Sequence, residues 1–335
     1  MLRKFLTASS ILLSLGIGEA MAAATTVSIV CFLPPRSISV SKVFVPWIKT
    51  VEAAAEGDLK FQPYWGGSLG RNPKKQYDML KDGVADIVYV LPNYTPGQFP
   101  DFSIFELPYV VKTGEEGSVA LWRMHQKGLL RGMQESHVIG FFSTEANMIH
   151  ATKPIRSLSD VKGLKLRAAG PVHASYIKLL GGVPIGMPVT QVTEAISRGV
   201  VDGTLLGWGG SLVFRIHNVT SHHYEAPLGI APFFVAINKS KWAALSQKSK
   251  AAITKYGGEY MARLGGKAFD DFGKRGYSVI SKAGKRTITR ATPAELEAQA
   301  AATKPVHDEW IKDKKDGAMK YAALQQILAD IRAGR

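Results

Sequence analysis

Short apolar runs alternating with helix-periodic segments, in two successive series, constrain this chain more than any other feature. The first series is a strand over Val27–Leu33, a helix over Ser41–Ala55, a strand over Leu59–Tyr64, a helix over Pro73–Lys81 and a strand over Ala85–Val90. Strand-length runs separated by helical patterns are the signature of βα units with parallel strands. A second series opens at Val138–Ser143 and continues through Leu164–Ala168, a helix over Val172–Leu180 and a strand over Val183–Met187. It closes with a helix over Val189–Ser197, a short strand over Val201–Leu206 and a strand over Phe233–Asn238. A chain of 335 residues exceeds what one small core holds, so two α/β lobes are expected. From Lys241 the pattern is mostly helical, with a short strand at Arg286–Thr289 and a helix opened by the capping signal Thr292, Pro293 and Glu295.

The N-terminus sets the expected compartment. Arg3 and Lys4 precede an apolar run from Ile11 to Ile17, and Ala20, Ala22, Ala23 and Ala24 follow, which reads as a cleavable secretory signal over residues 1–23. The run falls short of the roughly 20 apolar residues of a spanning helix. Gly16, Gly18 and Glu19 also interrupt it, so no membrane insertion is expected after cleavage. Export to the periplasm removes nucleic acid as a partner, and the net charge of +15 then leaves anionic surfaces and small anions. The single cysteine, Cys31, cannot form an intrachain disulfide and is expected in the buried first strand.

Four features bear on chemistry. Gly66-Gly67-Ser68-Leu69-Gly70 matches the nucleophile elbow, in which a serine sits on a sharp strand-to-helix turn. Arg71-Asn72-Pro73 delays the following helix, yet an exported hydrolase using Ser68 stands as an alternative function. His217, His222 and His223 invite a metal reading, but neighbouring histidines point apart and no cysteine or spaced glutamate completes a ligand set. Gly265-Gly266-Lys267 lacks the remaining residues of a phosphate loop, so neither metal nor cofactor is expected. Arg167, in the strand-like segment Gly163-Leu164-Lys165-Leu166-Arg167, carries two readings: an interlobe ion pair, or a bidentate clamp for a carboxylate.

An ordered series of motifs covers nearly the whole chain after the leader. It comprises Gly67-Ser68-Leu69-Gly70, Leu80-Lys81-Asp82-Gly83-Val84-Ala85-Asp86-Ile87 and Phe105-Glu106-Leu107-Pro108-Tyr109. Lys153-Pro154-Ile155 then leads into Asp160 through Arg167, followed by Leu180-Gly181-Gly182-Val183-Pro184, Arg198-Gly199-Val200-Val201-Asp202-Gly203 and Ile237-Asn238-Lys239. In this order the motifs resemble the solute-binding subunits of tripartite ATP-independent periplasmic (TRAP) transporters of the DctP type.

The resemblance implies a two-lobe periplasmic-binding-protein fold with a ligand cleft between the lobes and long C-terminal helices. The first lobe would span residues 24–148 with a return segment near 236–275, and the second 149–235 with a C-terminal segment near 276–335. It further implies a monomer that closes on a small organic acid, holds its carboxylate with Arg167 and delivers it to membrane permease subunits. A chemosensory ligand-binding protein would carry the same lobes.

The chain departs from dicarboxylate- and sugar-acid-binding members. Where many carry a further arginine it reads Asn147-Met148-Ile149-His150, and Leu206 stands where some place a polar group. After the strand over Ala85–Val90 it has Asn93 and Tyr94 without an acidic group. One cationic clamp beside Trp208, Phe234, Tyr94 and Phe32 implies a monocarboxylate with an aromatic or branched body, since rings stack on rings. Thr190 and Asn238 complete the expected set, and Arg71 would be either a second anion contact or a solvated surface group.

Overall fold

A computed structural model describes residues 24–335, so the expected leader lies outside the described residues. The chain enters as β1 (Thr25–Val30), makes a π-helical turn at Ser39–Phe44, and continues as α1 (Val45–Ala54), β2 (Leu59–Tyr64), α2 (Gln76–Lys81) and β3 (Ile87–Val90). Next come α3 (Gly114–Gln126) and β4 (Ser136–Ser143). A second group follows: β5 (Met148–Ala151), β6 (Lys165–Ala168), α4 (Pro171–Leu179), β7 (Val183–Gly186), α5 (Val192–Ser197), β8 (Gly203–Leu206), α6 (Trp208–Val213) and β9 (His222–Glu225). The chain then returns through β10 (Pro232–Asn238), α7 (Lys239–Ala244), α8 (Gln247–Tyr256) and α9 (Gly258–Ser281). It ends with β11 (Thr287–Arg290), α10 (Pro293–Ala302), α11 (Lys304–Asp313) and α12 (Gly317–Arg332).

Two sheets result, five-stranded in the order β2-β1-β3-β10-β4 and six-stranded in the order β11-β9-β5-β8-β6-β7. The βα units behave as their periodicity requires: β1 runs parallel to β2 and β3, and β6 runs parallel to β7 and β8. The sheets are nonetheless mixed. β10 enters antiparallel between β3 and β4, and β5 lies antiparallel between β8 and β9. The strand expected over Val138–Ser143 at the head of the second series therefore belongs to the first sheet, as does the strand expected over Phe233–Asn238. A run of apolar residues specifies a buried strand without specifying its neighbour. β5 and β9, four residues each, are too short to carry a period and do not stand out in the sequence.

The chain passes between the sheets after β4 and again before β10, and α9 lies across both lobes. Its Gly265 and Gly266 let it close on Phe142 and on the Gly114–Glu115 backbone, while Gly276 lets it meet the Trp208–Gly209 backbone. The C-terminal segment, expected with the second lobe, is divided. β11 joins the six-stranded sheet, but α12 packs on α3 of the first lobe, with Lys320 paired to buried Asp101 at 2.6 Å and Arg332 to Glu116 at 2.9 Å. No helix among the described residues is long and apolar enough to cross a membrane.

Candidate functional site

The lobes face one another across a cavity lined by residues of both. The first lobe supplies Phe32 and Leu33 from the segment after β1, Tyr89 on β3, Tyr94 beyond it, and Phe233 on β10. Phe269 of α9 closes that side. The second lobe supplies Arg167 on β6, Val189, Leu205 and Leu206 on β8, and Val213 and Phe214 at the end of α6. Thr144 and Asn147 line the cavity from the crossing between β4 and β5.

The ring-bearing wall is ordered by strand alternation. Tyr89 and Phe233 are diagonal neighbours on adjacent strands, Tyr89 pairing in register with Val235, and their rings stack at 4.8 Å, while Phe32 stacks on Tyr89 at 5.8 Å. Such offset stacking fixes ring planes and leaves flat apolar faces for an occupant.

Arg167 is the one arginine or lysine on this wall and is 2% exposed. Its Nε donates to the Met187 carbonyl at 2.9 Å and its Nη2 to the Tyr94 hydroxyl at 3.2 Å. Tyr94 Oη also accepts the Val189 N–H at 2.9 Å, so this first-lobe hydroxyl joins two second-lobe donors. Guanidinium has five N–H donors. Two are used on the protein, and among the described residues no carboxylate lies within ion-pairing distance of the side chain. An arginine buried without a counter-ion presents its remaining donors to whatever fills the cavity.

Beside the cavity, Glu145 is enclosed by α6 and α9, and its Oε1 accepts the Gly209 N–H at 2.7 Å. Burial pushes its carboxyl up to about 7, with the Gly209 bond opposing only in part. Behind Leu206, whose carbonyl accepts from His150 Nε2 at 3.1 Å, His150 and His223 face each other through Nδ1 atoms 2.7 Å apart. Desolvation holds both imidazoles below their ordinary value.

Of the residues expected from sequence, Arg167, Tyr94, Leu206 and Phe32 meet at the cavity. Others lie elsewhere. Phe234 points to the opposite face of β10, against Phe99 at 5.1 Å, and its neighbour Phe233 takes the cavity side. Trp208 turns away to donate to Glu225 at 2.8 Å and to pack edge-on to His150. Thr190 is exposed while Val189 lines the wall. Asn93 is buried with no partner for its amide among the described residues and borders a neighbouring chamber beyond Tyr94. Asn238, at the far end of β10, caps α7 by accepting the Ser240 and Lys241 N–H groups. Arg71 is exposed in the loop beside Gly67. Ser68 sits in an exposed turn between β2 and the helical turn starting at Pro73, so it does not open a helix as an elbow serine must.

Phe214, Phe233, Phe269 and Tyr89 were not legible as cavity residues. Their aromatic character was visible, but the face each presents depends on packing.

A family profile described as DctP, bacterial extracellular solute-binding protein, family 7, matches residues 30–313. A marine metagenome TRAP solute-binding protein specific for aromatic acid ligands, solved with 3-hydroxybenzoate, superposes with a TM-score of 0.88 at 30% identity, covering 92% of this chain and 99% of that one. A TRAP solute-binding protein from Rhodoferax ferrireducens, solved with copurified benzoate, superposes at 0.87 with 26% identity over 93% of this chain and all of the other (100%). The C4-dicarboxylate-binding periplasmic protein DctP of Rhodobacter capsulatus is 24% identical over 70% of this chain and 76% of its own length. With its two mixed sheets around an interlobe cavity, the chain belongs to the DctP family of extracellular solute-binding proteins, the receptor subunits of TRAP transporters.

Proposed function

We propose that this receptor captures an aromatic monocarboxylate, clamps the carboxylate with Arg167, and delivers it unchanged to permease subunits as a periplasmic monomer. The observation that carries this reading is a buried arginine with unspent donors in a cavity whose walls are otherwise largely apolar and aromatic. With Nε held by Met187 and one Nη2 donor by Tyr94, the end of the fork is left for a carboxylate, which accepts two parallel hydrogen bonds from it. Phe32, Phe214 and Phe233 offer faces to a ring, and the aromatic acids held by the two solved relatives support that choice. A dicarboxylate would bury a second charge with no cation to meet it, at a cost of several kcal/mol.

Titration calorimetry over aromatic, aliphatic and dicarboxylic acids tests the reading. An aromatic or branched monocarboxylate should bind best and be recovered intact. Arg167→Ala should weaken that acid by roughly 30-fold to several thousand-fold, with Arg167→Lys between the two. Succinate binding more tightly than every aromatic acid, or Arg167→Ala binding like wild type, would overturn the assignment.

A further inference from the structure

We infer that the ligand carries a hydroxyl group in addition to its carboxylate, and that Asn147 and Thr144 read it. The inference rests on the aromatic-acid reading above and narrows it to hydroxylated aromatic monocarboxylates.

Both residues sit where the chain first crosses between the lobes, on backbone that cannot easily shift. The Asn147 N–H donates to the Gly229 carbonyl at 2.8 Å, and its carbonyl accepts the Leu228 N–H at 2.9 Å. Asn147 is 2% exposed and lines the cavity, and its side-chain amide bonds to no other described residue. That amide holds two donors and an acceptor. Thr144 Oγ1 accepts the Ala231 N–H at 3.0 Å, which fixes the side chain and leaves its own O–H proton to give. The cavity they share is otherwise lined mainly by apolar and aromatic side chains, among them Leu205, Leu206, Ala231 and Phe233, with the hydroxyls of Ser37, Ser39, Tyr89 and Tyr94 also on its walls.

A hydroxyl both donates and accepts, as this pair demands. A second carboxylate does not suit the position, because Asn147 and Thr144 are neutral and the buried carboxyl of Glu145 lies between them in sequence, beside the same cavity. A ring without a substituent would desolvate the amide and return nothing, and sites built to bond a hydroxyl discriminate strongly against analogues that lack it.

The experiment compares acids that differ by one hydroxyl: benzoate with its three monohydroxy isomers, and phenylacetate with mandelate, each titrated into wild type, Asn147→Leu, Thr144→Val and Arg167→Ala. At least one hydroxylated acid should bind wild type about 10- to 100-fold tighter than its parent. Asn147→Leu, which keeps the volume, should collapse that ratio to within about threefold, by weakening the hydroxylated acid and relieving the parent acid of the amide's desolvation cost. The wild-type ratios alone decide the point if a variant misfolds. Parents binding in an Arg167-dependent way but as tightly as every hydroxylated form would overturn this inference and leave the clamp standing. That is also the result if ordered water satisfies the amide. A ratio that survives both Asn147→Leu and Thr144→Val would reject the residues named. No aromatic acid binding at all would remove the underlying reading as well.

Discussion

The hydroxyl of Tyr94, carried by the first lobe, lies 3.2 Å from Nη2 of Arg167, carried by the second. The same oxygen accepts the Val189 N–H at 2.9 Å, so one phenol ties two donors of the opposite lobe at the edge of the cavity. Opening the cleft must break both bonds. Tyr94→Phe should therefore speed ligand dissociation roughly tenfold while association changes by no more than about twofold, read by stopped-flow mixing. Unchanged dissociation would show that the hydroxyl does not hold the lobes together.

Trp208 provides a contrasting case. Its indole N–H bonds Glu225 at 2.8 Å and its ring stands edge-on to His150 and Tyr277, away from the cavity. Trp208→Phe is expected to keep ligand affinity within about threefold but to lower the melting temperature by roughly 2–4 °C, the effect of losing about one buried hydrogen bond. A tenfold loss of affinity with unchanged melting would contradict this placement.

Glu145 makes stability depend on pH. Its folded carboxyl titrates at about 7 against an ordinary 4.5, because burial disfavours the charged form. Between those values the folded protein holds a proton that the unfolded chain has released, so stability falls as pH rises from about 4.5 to about 7. The loss across that window is roughly 2–3 kcal/mol. Denaturant unfolding at pH 5, 6 and 7.5 should show Glu145→Gln with a flatter profile than wild type. Parallel profiles would mean that this carboxyl titrates normally.

The seating of α9 is tested at Gly266. A Cβ there would lie 2.4 Å from Glu115 Cα and 2.5 Å from the Gly114 carbonyl oxygen, backbone atoms that cannot swing aside. Gly266→Ala should cost about 1–3 kcal/mol. Gly186, where a Cβ meets nothing within 4 Å, is the control, and Gly186→Ala should stay within about 0.5 kcal/mol. Equal stabilities for the two variants would argue that α9 does not press on α3.

Much of the architecture could be read locally. The strand expected over Leu59–Tyr64 is β2 with the same ends, and the segment ending in Arg167 is a strand whose arginine is buried. The capping signal at Thr292 opens α10 with a complete capping box. In each case the cause lies within a few residues, as apolar spacing, a capping side chain or a fixed proline φ, so the chain states it directly.

Side-chain facing was less accessible. Phe233 and Phe234 are adjacent in a strand buried on both sides, so alternation guarantees that they face opposite ways but not which one meets the cavity. Asn238 lies in one of the ordered family motifs and is an expected site residue, yet its amide oxygen caps α7 and its amide nitrogen donates to the Leu80 carbonyl.

The sequence by itself determined two α/β lobes, the family, and a strand ending in Arg167, because periodicity, turn chemistry and residue type act over short range. Only the tertiary structure decided that β10 enters the first sheet antiparallel, that Tyr94 reaches Arg167 across the cleft, and that Asn147 lines the cavity with an amide that no described residue bonds. These depend on which distant segments share a surface, a choice set by the summed packing of both lobes and carried by no local pattern.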